Sequence, residues 1–245
     1  MKYFVLILLL LSFSLLFSDQ LPIVVDLNQF LDSSSNTNFE VNYQLPYNSL
    51  SFAKTDAGFE AGLNVEYFLS KDGQVVDQGD FTNKLIFPNE ELTRSGKIFR
   101  DKLAVTLPTS TYAMQIKFSD KNTLRHAAWS EELNIFPKDV FLSDLEFSSN
   151  IIADSTNFME KFHRNNQLFF VNCNHIYNKD KADSIYIYYE LGNAQFSVGT
   201  LQDEINIVKD EDTLRVVTSE FACDGRKKSR VRIINISDLT EVLEI

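Results

Sequence analysis

Three histidines, His126, His163 and His175, are the chain's whole complement. None stands in His-x-His or His-x3-His spacing, so no local run supplies the imidazole pair that a zinc motif requires. Ser130, His126 and Asp120 have the residue types of a nucleophilic triad. No Gly-x-Ser-x-Gly elbow surrounds the serine to hold its hydroxyl exposed, and triples of this kind occur in any chain of similar length. The acidic runs "NKDKADS" (178–184) and "VKDEDTL" (208–214) offer hard oxygens. They lack the Asp-x-Asn/Asp-x-Asn/Asp-Gly order that folds a loop around calcium, and solvated turn charges account for them. Asp144 and Glu190 are the carboxylates that a hydrolytic or carbohydrate-active site would draw on. No catalytic set, metal site or cofactor motif is assigned from these residues.

Further groups carry chemistry of a different kind. Cys173 and Cys223 can bridge in an oxidising compartment or remain two thiols, and no Cys-x-x-Cys suggests redox catalysis. In "SIYIYYEL", Tyr186 and Tyr188 fall opposite the isoleucine face. Exposed, they would form a stacking or protein-binding platform; the alternative is a strand buried on both faces. The basic run "GRKKSR" (225–230) would attract phosphate or an acidic surface, or protect a sheet edge in a hairpin. Asn235, in "NIS", fits the N-glycosylation acceptor pattern.

These residues are positioned by strands. In "FEVNYQL", Phe39, Val41, Tyr43 and Leu45 share one face and Glu40, Asn42 and Gln44 the other, before Pro46 ends the run. "GLNVEYFL" repeats the alternation and leads into "SKDG", a hairpin signal. "KLAVTL", "TYAMQIKF" and "EELNIF" follow, then "QLFFVNC", "SIYIYYEL", "EINIV", "TLRVVTSEF" and "RVRIINI". Only "STNFMEKFHRNN" reads as a short helix or irregular loop. The pattern predicts an all-β chain of two tandem immunoglobulin-like antiparallel β-sandwich domains, 19–138 and 139–245, divided near "FPKDVFLSD".

A weak internal repeat sharpens the second domain. "VEYFLSKDG" (65–73) parallels "IYYELGN" (187–193), and "LPTSTYAMQI" (107–116) parallels "ISDLTEVLEI" (236–245). On this alignment the second domain is incomplete at its C-terminus. Val242, Leu243 and Ile245 then mark an edge that a partner strand can extend.

Residues 1–18, "MKYFVLILLLLSFSLLFS", have one lysine, an apolar run too short for a bilayer-spanning helix, and a small residue before Asp19. They read as a cleaved secretory signal peptide, with no integral membrane segment after it. A net charge of −11 disfavours nucleic acid as a partner.

"FEVNYQLPYNSLSF" and "GLNVEYFLSKDGQVV", with "FLSDLEFSSNI", "FHRNNQLFFVNCNHIY" and "SIYIYYELGN", resemble the N-terminal region of bacterial secreted GWxTD-domain proteins. The resemblance spans roughly 20–240 and rests on scattered aromatic and turn positions; Cys173 and Gly192 depart from it. The naming motif is absent, since the only tryptophan, Trp129, lies between Ala128 and Ser130. The resemblance implies β-sandwich modules and bacterial export. Together these features predict a non-catalytic protein of the periplasm or cell surface, binding an envelope or surface protein by strand addition at the edge of the second domain. A hydrolytic or carbohydrate-active enzyme, or a shortened family product with no role of its own, are the alternatives.

Overall fold

In the computed structural model the described residues are 20–32, 36–135, 142–156, 158–178, 183–192, 199–209, 212–223, 227–237 and 243–244. The predicted signal peptide lies outside them. Eight strands come first: β1 (Val24–Leu31), β2 (Thr37–Pro46), β3 (Ala53–Thr55), β4 (Gly58–Lys71), β5 (Gln74–Phe87), β6 (Ile98–Leu107), β7 (Thr111–Asp120) and β8 (His126–Asn134). Nine follow: β9 (Glu146–Ala153), β10 (His163–Arg164), β11 (Gln167–Val171), β12 (Ile176–Tyr177), β13 (Ser184–Leu191), β14 (Gly199–Lys209), β15 (Asp212–Cys223), β16 (Lys228–Asn235) and β17 (Leu243–Glu244). One short helix, α1 (Glu90–Thr93), is capped by the Asn89 side chain, which accepts from the Leu92 N–H. The chain is all-β with antiparallel sheets, in keeping with a sandwich.

The strands gather into two compact units made of non-contiguous stretches. Residues 20–25, 43–101 and 111–134 form the first; 26–42, 102–110 and the described residues from 135 onward form the second. The sequence reading placed 26–42 and 102–110 in the first domain. Local alternation cannot see this division, because β1, β2 and β6, which order as one sheet, each contribute residues to both units.

In the first unit β4 pairs β5 on one side and β7 on the other, and β8 follows β7. Asp72 and Gly73 at the β4–β5 turn have φ of +52° and +76°, the mirror-image turn that matches strand twist. The inward sets Leu63, Val65 and Leu69 and Tyr112, Met114, Ile116 and Phe118 are buried, as period two requires. Sheet and hairpin therefore follow directly from the sequence pattern.

In the second unit the order is β10-β11-β9-β13-β16. The hairpin β14–β15 lays Ile205, Ile207 and Val217 against Ile185, Ile187, Tyr189, Ile234 and Ile236. Leu243 and Glu244 pair with Tyr177 and Ile176; Val242 and Ile245 lie outside the described residues. The segment read as helix or loop contains a 3-10 turn, Glu160–Phe162, and then a two-residue hairpin.

Candidate functional site

The second unit buries charges that the sequence placed on the polar face of a strand. Glu40 and Asn42 on β2 are as buried as their apolar neighbours. The hairpin β10–β11 supplies the partner. Asn165 and Asn166 take φ of +51° and +61°, a conformation asparagine tolerates better than most residues, and the tight turn places Arg164 opposite Gln167.

The Arg164 guanidinium lies between the rings of Phe30 and Tyr188, 4.4 and 4.6 Å from their centroids. It donates to both oxygens of Glu146, at 2.8 and 2.7 Å, and to Glu40 at 2.7 Å. Lys102 Nζ reaches Glu40 at 2.5 Å and Glu146 at 3.4 Å, and sits over the Phe162 ring. Two cations and two carboxylates thus close a neutral buried set. Burial alone would raise the Glu146 carboxyl, but Lys102 and Arg164 outweigh it and hold it down at about 2. A general acid or base works with a pKa near the operating pH. Glu146 is instead a fixed anion, and the cluster acts as a strut.

The carboxylates singled out as catalytic candidates seal an edge. Asp144 Oδ2 accepts from the Gln29 N–H at 2.8 Å, and the Asp144 N–H donates to the Gln29 carbonyl at 3.0 Å. Two residues on, Glu190 Oε2 accepts from the Leu31 N–H at 2.9 Å, while Lys227 donates to the Leu31 carbonyl. Glu190 also accepts from the Tyr188 hydroxyl at 2.8 Å and meets Lys227 at 2.8 Å. Burial raises the Asp144 carboxyl despite the Gln29 hydrogen bond. Glu190→Gln should lower stability by about 1–3 kcal/mol, because an amide NH2 replaces one acceptor among donors. Chemical denaturation of the variant checks this; an unchanged midpoint would remove Glu190 from the edge-sealing role.

The remaining sequence candidates separate. Tyr188 is 4% exposed, so it is no surface platform: Phe30, Phe169 and Arg164 cover it. Tyr186 is half-buried. Cys173 is buried, and the side chain of Cys223 lies outside the described residues. His175 faces Asp26 at 3.3 Å and packs on Phe147; His163 faces Asp154 at 3.5 Å; His126 is exposed on β8. Asp120 accepts the N–H groups of Ser51 and Asn122, and Ser130 is exposed on β8 opposite Gln115, so the three triad types do separate work. Among the described residues no group of three or more His, Cys, Asp or Glu side chains is placed to hold a metal. Arg230, the last cation of the basic run, turns inward; Arg226 lies outside the described residues. Arg230 and Arg232 both donate to Asp203, which also accepts from Tyr189. Burial opposes charge on Asp203, yet Tyr189 and the two arginines lower its pKa.

In the first unit an open cavity of 310 Å³ is lined by Leu50, Phe52 and Phe59, with Glu90 and Arg94 paired to each other at its rim.

At β16 the described residues place no further strand on the outward side. The Ile236 N–H donates to the Asp183 carbonyl, and the β13–β16 register is continuous from there. By antiparallel alternation the N–H and C=O groups of Ser229, Val231 and Ile233 point away from β13. No strand lies beyond β16 among the described residues. Arg215 takes the Asn235 carbonyl at one end, and Ile233 is 60% exposed. Sequence reasoning put an open edge at Val242, Leu243 and Ile245; Leu243 pairs on one side with Tyr177, and Val242 and Ile245 lie outside the described residues.

No family model, curated protein or solved structure matches the chain. No helix among the described residues is long and apolar enough to cross a membrane.

Proposed function

We propose that the chain is an exported, non-catalytic pair of immunoglobulin-like sandwiches that works by protein–protein contact in a bacterial envelope, accepting an extended segment of a partner on β16. The carrying observation is the contrast between two edges of one unit: Asp144, Glu190 and Lys227 occupy the outward groups of Gln29 and Leu31, while among the described residues no hydrogen bond takes those of Val231 and Ile233. An open edge is a template for a further strand, and native chains ordinarily blunt such edges. Arg230 and Arg232 point inward onto Asp203. Export rests on the leader-like residues 1–18 and on the resemblance to secreted GWxTD-domain proteins.

Ile233→Pro removes an N–H that bonds nothing on β13, so it should leave the fold intact and block an incoming strand. Capture from envelope extracts is expected with the wild type and lost with this variant. In the captured complex, the amides of Val231 and Ile233 should become protected from hydrogen exchange. Equal capture by both proteins, or a complex that leaves these amides unprotected, would overturn the assignment to β16.

A further inference from the structure

The first unit carries a second long edge. No strand lies beyond β5 among the described residues. Its ladder with β4 runs without a shift from Phe87, opposite Phe59, to Asp77, opposite Leu69, and changes register only beyond that point. The midpoint of the regular stretch is Thr82.

The outer face of this sheet has an incomplete row of charge. Glu66 stands between Lys117 on β7 and Asp80 on β5. Like charges directly opposite one another are unfavourable, and no ion pair reaches Asp80 among the described residues. The row reads cation, anion, anion, edge. A cation on the next strand would complete it.

We propose that the next strand is β5 of a second copy, added antiparallel about a two-fold axis at Thr82. Such an axis stands normal to the sheet and keeps the inward faces of both copies on one side, so residues opposite each other must share a face. Centred on Thr82, the pairing sets Asp80 of each copy opposite Lys84 of the other, and extends each row to Lys117, Glu66, Asp80, Lys84. Thr82 meets its own counterpart, a favourable cross-strand pair. Centred on Phe81 instead, Asp80 would face Thr82 and lie diagonal to the other Asp80. Length and charge therefore select the same register. Lys84 already meets Glu60 at 2.9 Å but stays 55% exposed, with donors to spare. Charges on an edge usually discourage pairing; here their spacing makes the edge self-complementary. β5 belongs to the other unit from β16, and the two assignments stand or fall separately.

Sedimentation of the purified full chain over a concentration series tests this. The wild type is expected to dimerise. Asp80→Lys and Lys84→Asp should each weaken the dimer by about tenfold or more through like-charge contact, and the double exchange should restore it. Asp80→Lys has an added signature, since it relieves Glu66 within one chain and should raise monomer stability while weakening the dimer. Under oxidation Thr82→Cys should link two copies through residue 82, identified by peptide mass spectrometry. A wild type that stays monomeric, a dimer unmoved by either single change, or a double exchange no better than the singles would overturn the proposal.

Discussion

Arg164→Ala should cost about 3–5 kcal/mol, the range for removing one partner from a buried ion pair. The loss arises less from the missing bonds than from what stays behind. Glu146 is fully buried and would keep only Lys102, 3.4 Å away, while the Phe30 and Tyr188 rings would face a cavity where the guanidinium lay. Arg164→Lys keeps the charge but not the planar fork that grips both Glu146 oxygens, so it recovers only part of the loss. The acid side gives a second readout. Because Glu146 is held at about 2 in the folded chain against an ordinary 4.5, its contribution is full above the ordinary carboxylate range and is lost as pH falls from there toward 2. Without Arg164 the buried carboxyl takes a proton more readily, so the gap between variant and wild type should narrow in acid. Hydrogen exchange of the β9 and β13 amides, followed in denaturant at neutral and at acid pH, measures both effects. A gap that widens in acid would mean that Glu146 is not the anion the cluster is built around.

The same residues show how far the sequence carries. Period-two alternation correctly groups Phe39, Val41, Tyr43 and Leu45, all buried. It is silent on whether the opposite face is wet. Glu40 and Asn42 are buried because Lys102, Arg164 and Asn28 reach them from other parts of the chain, and a pattern read over seven residues holds no trace of such partners. The partner of Arg230 is hidden for a related reason: its neutralising group, Asp203, arrives on another hairpin.

Arg164 is a different case, because a local signal did exist. Asn165-Asn166 between "HR" and "QLFF" is a pair of residues that tolerate positive φ, set between residues that can pair, and that combination points to a two-residue hairpin. The helix-or-loop reading missed it because β10 has only two residues, too few for alternation to register. "SKDG" was legible for the opposite reason: two strands of fourteen residues, β4 and β5, meet at its Asp72-Gly73 turn. The division into units was not legible, since β1, β2 and β6 each belong to both, and strand periodicity carries no information on where along a strand its packing partners change. Asp144 and Glu190 illustrate the limit for chemistry. Their types suggested acid–base work, but the N–H groups of Gln29 and Leu31 that they accept are backbone groups of a distant strand, common to every sequence.

Phe118→Ala should cost the first unit about 3–5 kcal/mol. The ring is fully buried on β7, opposite Val65 on β4, and its centroid lies 5.1 Å from that of Tyr43 at a tilt of 57°. Such a contact contributes about 0.5–1.5 kcal/mol beyond the area it buries; the larger share of the loss is the cavity. Tyr43 cannot swing in to fill it, because its hydroxyl donates to Asp101 Oδ2 at 2.8 Å and accepts from Asn83 at 2.9 Å. Burial, with Asp101 beside it, pushes the phenol well above its usual range, so that donor role holds at every working pH. The anchoring makes a second substitution informative. Tyr43→Phe keeps the ring and removes the hydroxyl's bonds to Asp101 and Asn83, for about 1–3 kcal/mol. In the double variant the untethered ring can relax toward the vacated volume, so the combined loss should fall short of the sum. Trp129, the one tryptophan, lies on β8 opposite Ile116, and its fluorescence follows this unit directly. A Phe118→Ala transition within about 1 kcal/mol of the wild type, below the range for emptying a packed aromatic site, would mean that the inward face of β7 is not the core that its alternation specifies.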